Sequence, residues 1–213
     1  MDRLVTFGCS NTFGAYLDDN YHKNAFPSKY AWPNHLADLL KVPVVNNSKM
    51  GIDNKEILFN ILNYDFGKTH KNDVVFVLWS YHDRHCIIKN DSIELIGIWR
   101  RKNKLSNLYY KYLWNEYDST FENYLYVNLA HYHLQEQNIE HIFLSYRQNH
   151  IDLSLEWNSV KFLNIFFDDV RTKFPPAKDG LHPGMESHKE FAKIIYDKYY
   201  KKNDFYNGSK NGL

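Results

Sequence analysis

Cysteine is scarce in this chain: 213 residues contain two, Cys9 and Cys86. Two cysteines form one disulfide at most, and neither stands in a CxxC or Cys/His ligand pattern. A disulfide scaffold and a structural zinc site are thereby excluded, and two free thiols are expected. Charge of one sign is also missing. Lys+Arg 26 against Asp+Glu 25 leave a net charge of +1, with no basic surplus to neutralise a phosphate backbone, so nucleic acid is not expected as a partner. No apolar run approaches the roughly 18–20 residues that cross a bilayer, so no membrane span is expected. The start, Met1-Asp2-Arg3-Leu4-Val5-Thr6-Phe7-Gly8, lacks the apolar stretch of a secretory signal. Internal repeats and Ser/Gly linkers are absent, and the length suits one domain spanning 1–213. Neither GxxxxGK[ST] nor a glycine-rich dinucleotide fingerprint occurs, and no cofactor is expected.

Aromatic residues, by contrast, are abundant: 17 Tyr, 14 Phe and 5 Trp make up 17% of the chain. Disordered chains are poor in such residues, so the protein folds. The apolar pattern alternates between short runs and helical stripes. Leu4–Phe7 reads as a first buried strand ending at Gly8, and Pro43–Val45 as a second. Val74-Val75-Phe76-Val77-Leu78 within Asp73–Trp79 is the strongest strand signal, and Ile142-Phe143-Leu144 is a fourth. Helices are predicted from Pro33 to Leu40, after an Asp53 N-cap, from Phe121 to Gln137, and from Met185 to Tyr200. Ile87-Ile88 and Ile93–Ile96 around Asn90-Asp91-Ser92 predict a hairpin, followed by a short Tyr/Trp-rich helix. Residues 15–31 read as loop, Phe162–Val170 gives only weak signals, and residues 201–213 form a polar tail. Strands alternating with helices imply a parallel sheet covered on both faces, with ligands beyond the carboxyl ends of the strands.

Two segments at such strand ends carry chemistry. Gly8-Cys9-Ser10-Asn11-Thr12 follows the first strand directly. A serine on a tight strand-to-helix turn presents its hydroxyl beside backbone N–H groups able to hold an oxyanion; it can equally serve only as a helix cap. Asp179-Gly180-Leu181-His182-Pro183 lies near the other end. An Asp and a His three residues apart on a Gly/Pro-stiffened turn supply a base and its orienter, which a weak serine nucleophile requires.

Gly8-Cys9-Ser10, Gly51 after strand two and Asp179-x-x-His182, in that order over roughly residues 2–195, resemble the SGNH/GDSL hydrolase superfamily. The resemblance implies a three-layer α/β/α sandwich with a parallel, flavodoxin-like sheet. It also implies ester hydrolysis through an acyl-enzyme, with Ser10 as nucleophile, His182 as base and Asp179 as orienter. The N–H groups of Ser10 and Gly51 would form part of the oxyanion hole. The sequence departs from the family twice. Cys9 stands where an Asp usually precedes the nucleophile. Ser80-Tyr81-His82-Asp83-Arg84 stands where Gly-x-Asn-Asp is usual, which puts His82 in place of the oxyanion-binding Asn, with Ser80 or Arg84 as alternatives. A ring N–H of His82 can donate the same bond.

No metal site is expected: His131 and His133 diverge on a helix, and His82 and His85 lack further ligands. The aromatic-rich insert after strand three, about residues 85–118, carries Trp99, Tyr109, Tyr110, Tyr112, Trp114 and Tyr117. Such side chains pair an apolar body with a polar tip and can stack on a sugar, pack across a homo-oligomer interface or fill a core. Trp99, Trp114 and Tyr81 are the candidate substrate contacts. The expected substrate is a small-molecule or carbohydrate ester, most specifically a short acyl (O-acetyl) ester on a sugar. An acyltransferase using the same triad, and a catalytically weak glycan-binding or assembly protein, are the alternatives. An origin in a bacterium or phage and a cytoplasmic, virion-associated or signal-independent exported location complete the expectations.

Overall fold

The computed structural model describes residues 1–20, 26–67, 72–90, 92–100, 102–147, 160, 162–201 and 205–206. Strands β1 (Leu4–Gly8), β2 (Val44–Asn46) and β3 (Val74–Trp79) are separated by helices α1 (Ser10–Phe13), α2 (Trp32–Leu40) and α3 (Asn54–Leu62). The hairpin β4 (His85–Ile88) and β5 (Ile93–Ile96) follows, then α4 (Lys104–Tyr112) and α5 (Glu116–Glu136). The chain continues through β6 (Glu140–Ser145), β7 (Phe162–Phe166), α6 (Phe167–Arg171), α7 (Met185–Lys201) and β8 (Phe205–Tyr206).

One sheet runs in the order β2-β1-β3-β6-β7-β8. All its pairings are parallel except β7 with β8. Setting the hairpin aside, the first five strands have the flavodoxin-like order, which reverses direction between β1 and β3 and opens a crevice at their carboxyl ends.

The unbroken apolar run of β3 follows from burial on both faces. Val75, Val77 and Trp79 join Val5, Phe7, Ile57, Ile61, Val127 and Leu134 in one core layer under α3 and α5. Val74, Phe76 and Leu78 join Leu4, Trp32, Leu36, Ile142, Phe191 and Ile195 in the other, under α2 and α7. Period-two alternation thus splits each central strand between two cores, giving the expected three-layer α/β/α sandwich. Trp32 is fully buried and meets Phe191 edge-on at 5.8 Å.

Several local expectations are corrected. The long helix begins at Glu116, not Phe121, because the Asn115 side chain accepts from the Asp118 N–H and starts the helix five residues early. The weakly patterned Phe162–Val170 forms β7 and α6; consecutive aromatics hide the alternation that would have marked a strand. The segment read as loop contains no further helix among its described residues, but α1 precedes it on the turn after β1. Most of the polar tail lies outside the described residues; within it, Phe205–Tyr206 pairs antiparallel with β7. The hairpin forms as expected, as a separate two-stranded sheet, although Asp91 in its turn lies outside the described residues. No helix among the described residues is long and apolar enough to cross a membrane.

Candidate active site

Ser10 opens α1 immediately after β1, with Cys9 at the N-cap position making no side-chain cap bond. Its N–H therefore lies in the first turn, where intrahelical acceptors are lacking. The turn is tight: a Cβ built on Gly8 would come within 2.2 Å of Thr12 Oγ1. Only a residue without a side chain permits that approach. The Asn46 amide ties the turn to β2 by donating to the Thr12 carbonyl at 3.0 Å. Cys9 is buried in the α3/α5 core layer, so its thiol faces away from the crevice that Ser10 faces.

The loop before α7 approaches from across the sheet. The Ala177 N–H donates to the His182 carbonyl at 2.8 Å, and Pro176 bridges to Pro183, closing a turn around Gly180 at φ 71°. Within that turn Asp179 Oδ1 accepts from the N–H groups of Leu181 and His182, both at 3.0 Å. Asp179 Oδ2 lies 2.5 Å from His182 Nδ1, and His182 Nε2 lies 3.2 Å from Ser10 Oγ. The three residues, 172 positions apart at the extremes, thus form one hydrogen-bonded line. Burial works against charge on Asp179, but the N–H groups of His182 and Leu181 outweigh it and hold the carboxyl below its ordinary value. An ionised Asp179 accepts from Nδ1–H, which leaves the Nε2 lone pair for the serine proton.

Gly51 and the β3 loop carry the residues that the family resemblance assigns to an oxyanion hole. A Cβ on Gly51 would stand 3.7 Å from Leu95 Cδ1, so the hairpin overhangs this glycine. Ser80 is held from both sides by Asn54, which accepts from its N–H at 2.7 Å and donates to its carbonyl at 3.1 Å. The Ser80 hydroxyl is buried and has no hydrogen-bond partner among the described residues. His82 is half-buried, and burial pushes its imidazole below the usual value, which favours the neutral ring with a hydrogen on one nitrogen. Arg84 donates to the Ile52 carbonyl at 3.4 Å and lies against Tyr81 at 4.8 Å and Trp99 at 4.7 Å. Of the candidate substrate contacts, Tyr81 packs at a tilt against Tyr146 with ring centroids 4.6 Å apart, and Trp99 is half-exposed and covers Gly97. Trp114 packs beside Tyr110, whose hydroxyl donates to the carbonyl of Asp83 at 2.5 Å, with that of Ile96 at 3.2 Å. These two side chains form the joint between insert and β3 loop.

No sequence signal marks Tyr16. Its ring lies 5.2 Å from the His182 ring, and its backbone takes φ 63°, a region non-glycine residues seldom occupy. A tyrosine carries no sequence mark of positive φ. Tyr16 also lines a cavity of about 280 Å³ with Leu17, Pro175, Ala177, Lys178 and Met185. Asn54 was likewise missed, since a buried brace and a surface amide look alike in sequence. His131 Nδ1 lies 2.7 Å from His141 Nε2, and no group of three or more metal-ligating residues occurs among the described residues.

Searches of the sequence against family models and against curated proteins find no match. The fold does match known structures. A protein described as lipolytic and of the G-D-S-L family, from Desulfitobacterium hafniense DCB-2, superposes with a TM-score of 0.56 at 15% identity over 92% of this chain and 99% of that one. The chain has the SGNH/GDSL hydrolase fold. An acetyl xylan esterase, Axe2, from Geobacillus stearothermophilus gives a TM-score of 0.57 at 14% identity over 92% and 94% of the two chains. TesA gives 0.56 at 11% identity over 94% and 99%. The crevice lies at the β1/β3 reversal, and Ser10 and Ser80 each lie just beyond the carboxyl end of one of these two strands.

Proposed function

We propose that this SGNH-fold protein is a serine esterase that cleaves short acyl esters, with a sugar O-acetyl ester as its substrate class. The observation that carries the reading is the line Asp179–His182–Ser10, with both hydrogen bonds formed. Ser10 Oγ attacks the acyl carbonyl as His182 Nε2 takes its proton, and the imidazolium is held by Asp179. The N–H groups of Ser10 and Gly51 and the side chain of His82 bind the oxyanion. Collapse expels the alcohol, protonated by His182, and leaves an acyl-Ser10 that water cleaves by the same route in reverse. The insert, overhanging Gly51 and presenting Trp99, walls the acyl site, and names such as acetyl xylan esterase among proteins of like fold agree with a sugar ester.

The test is hydrolysis of p-nitrophenyl acetate and of an acetylated xylo-oligosaccharide by the wild type and Ser10→Ala. Turnover is expected in the first and loss to background in the second; equal rates would sink the esterase and favour a binding protein. Product analysis in the presence of a sugar acceptor separates hydrolysis from acyl transfer. His82→Ala is expected to lower kcat by about 10²–10³. Full activity there, with loss in Ser80→Ala, would pass the third donor role to the buried Ser80 hydroxyl.

A further inference from the structure

The chain is nearly neutral as a whole, yet arginines gather along the rim of the crevice. Arg84, from the β3 loop, holds the Ile52 carbonyl next to Gly51 and rests on the rings of Tyr81 and Trp99. Arg147, just beyond β6, lies 5.2 Å from the same Tyr81 ring. Arg147 pairs with Asp168 at 3.0 Å, and Arg171 shares that carboxylate at 3.3 Å while donating to the Leu181 carbonyl in the Asp179–His182 loop. Arg84, Arg147 and Arg171 thus stand along the rim between the Gly51 loop and the His182 loop, the last two sharing Asp168. Among the described residues, no carboxylate pairs with Arg84 within 4.0 Å.

A guanidinium resting on aromatic rings has its planar faces covered and its N–H edges held in a fixed fork, the arrangement that suits a carboxylate or phosphate. Among the described residues, only one N–H of Arg84 is committed to a protein acceptor. A neutral sugar ester offers these groups nothing that calls for two positive charges.

We propose that Arg84 and Arg147 bind an anionic group, carboxylate or phosphate, on the non-reacting part of the ester, so that the substrate is the ester of an acidic sugar. The proposal rests on the esterase reading. Arg84 grips the anion by its free N–H edge, and Arg147, neutralised only in part by an Asp168 it shares, adds the second charge.

Three esters test it: acetylated methyl glucuronoside, acetylated glucose 6-phosphate and acetylated methyl glucoside. Wild-type kcat/KM is expected to favour a charged ester over the neutral one by roughly tenfold to a hundredfold, the range of one charge-assisted bond. The preference should shrink between 50 mM and 500 mM salt. The charged-to-neutral ratio should fall towards one in Arg84→Gln and Arg147→Gln, and recover in part in the Lys variants. Whichever charged ester leads identifies the anion as carboxylate or phosphate. Turnover of all three at equal kcat/KM, insensitive to salt, would overturn the proposal and leave the esterase intact. Titration of deacetylated methyl glucuronoside, glucose 6-phosphate and methyl glucoside into Ser10→Ala reads the same preference without chemistry. It remains decisive if no ester is hydrolysed, and equal binding of all three would overturn the proposal there.

Discussion

Replacing Asp179 by Asn changes one atom and sets the imidazole proton on the wrong nitrogen. Asp179 Oδ1 accepts two backbone N–H groups, from Leu181 and His182. An Asn must keep its carbonyl oxygen there, because the flipped amide would point donors at donors and leave both N–H groups unpaired, at about 1–3 kcal/mol each. The amide NH2 then faces His182 Nδ1, where Oδ2 stood at 2.5 Å. Nδ1 must accept, so the proton moves to Nε2 and meets Ser10 Oγ as a donor where a lone pair is required. The imidazolium also loses its counter-charge. Together these effects are worth about 4–5.5 kcal/mol of barrier, or a factor of roughly 10³–10⁴ in acylation. Stopped-flow release of p-nitrophenolate measures the first turnover directly. The substitution keeps the two backbone bonds, so thermal unfolding should move little. Acylation by a folded Asp179→Asn within tenfold of wild type, with Ser10→Ala inactive, would refute the assignment of Asp179 as orienter.

Other residues give separate expectations. Tyr16→Gly removes a left-handed tyrosine strained by about 1–2 kcal/mol and also the ring beside His182. Stability should hold or rise while kcat falls about tenfold, with a displaced pH–rate profile and rescue by Tyr16→Phe; an unchanged kcat and profile in Tyr16→Gly would remove any positioning role. Asn54→Ala removes the partners of the buried Ser80 N–H and of the Asn123 side-chain Oδ1, and should cost about 2–4 kcal/mol, read as a Tm drop of about 5–15 °C. Asp53 caps α3 by accepting from the Glu56 N–H, but burial raises its carboxyl above the ordinary value. Its charge therefore costs stability above the folded pKa, and the cost vanishes below the unfolded value of about 4. Asp53→Asn, which keeps an acceptor, should match or exceed the wild type in urea unfolding at pH 7, the gap closing as pH falls, whereas Asp53→Ala should lose about 1 kcal/mol.

Much of this protein is legible in one dimension because its determinants are local. The apolar run of β3, the Asp53 cap, the Pro33 helix start and the Asp-Gly-Leu-His turn each act within a few residues, and each appears where the sequence places it. The hydrogen-bonded line of Asp179, His182 and Ser10 was legible because its parts lie in two short blocks, one of them directly after the first strand. What only the tertiary structure decided involves contacts between distant segments. No local signal marks β7, which forms because β6 offers it an edge, or the positive φ of Tyr16, which brings its ring against a histidine 166 positions away. Asn54 becomes a brace only because β3 delivers Ser80 beside it. The aromatic excess divides in the same way. Phe7, Phe76 and Phe143 lie in core strands by alternation alone. The pairing of Trp99 and Tyr81 with Arg84 depends on where the hairpin folds back, and there packing, not pattern, sets the geometry.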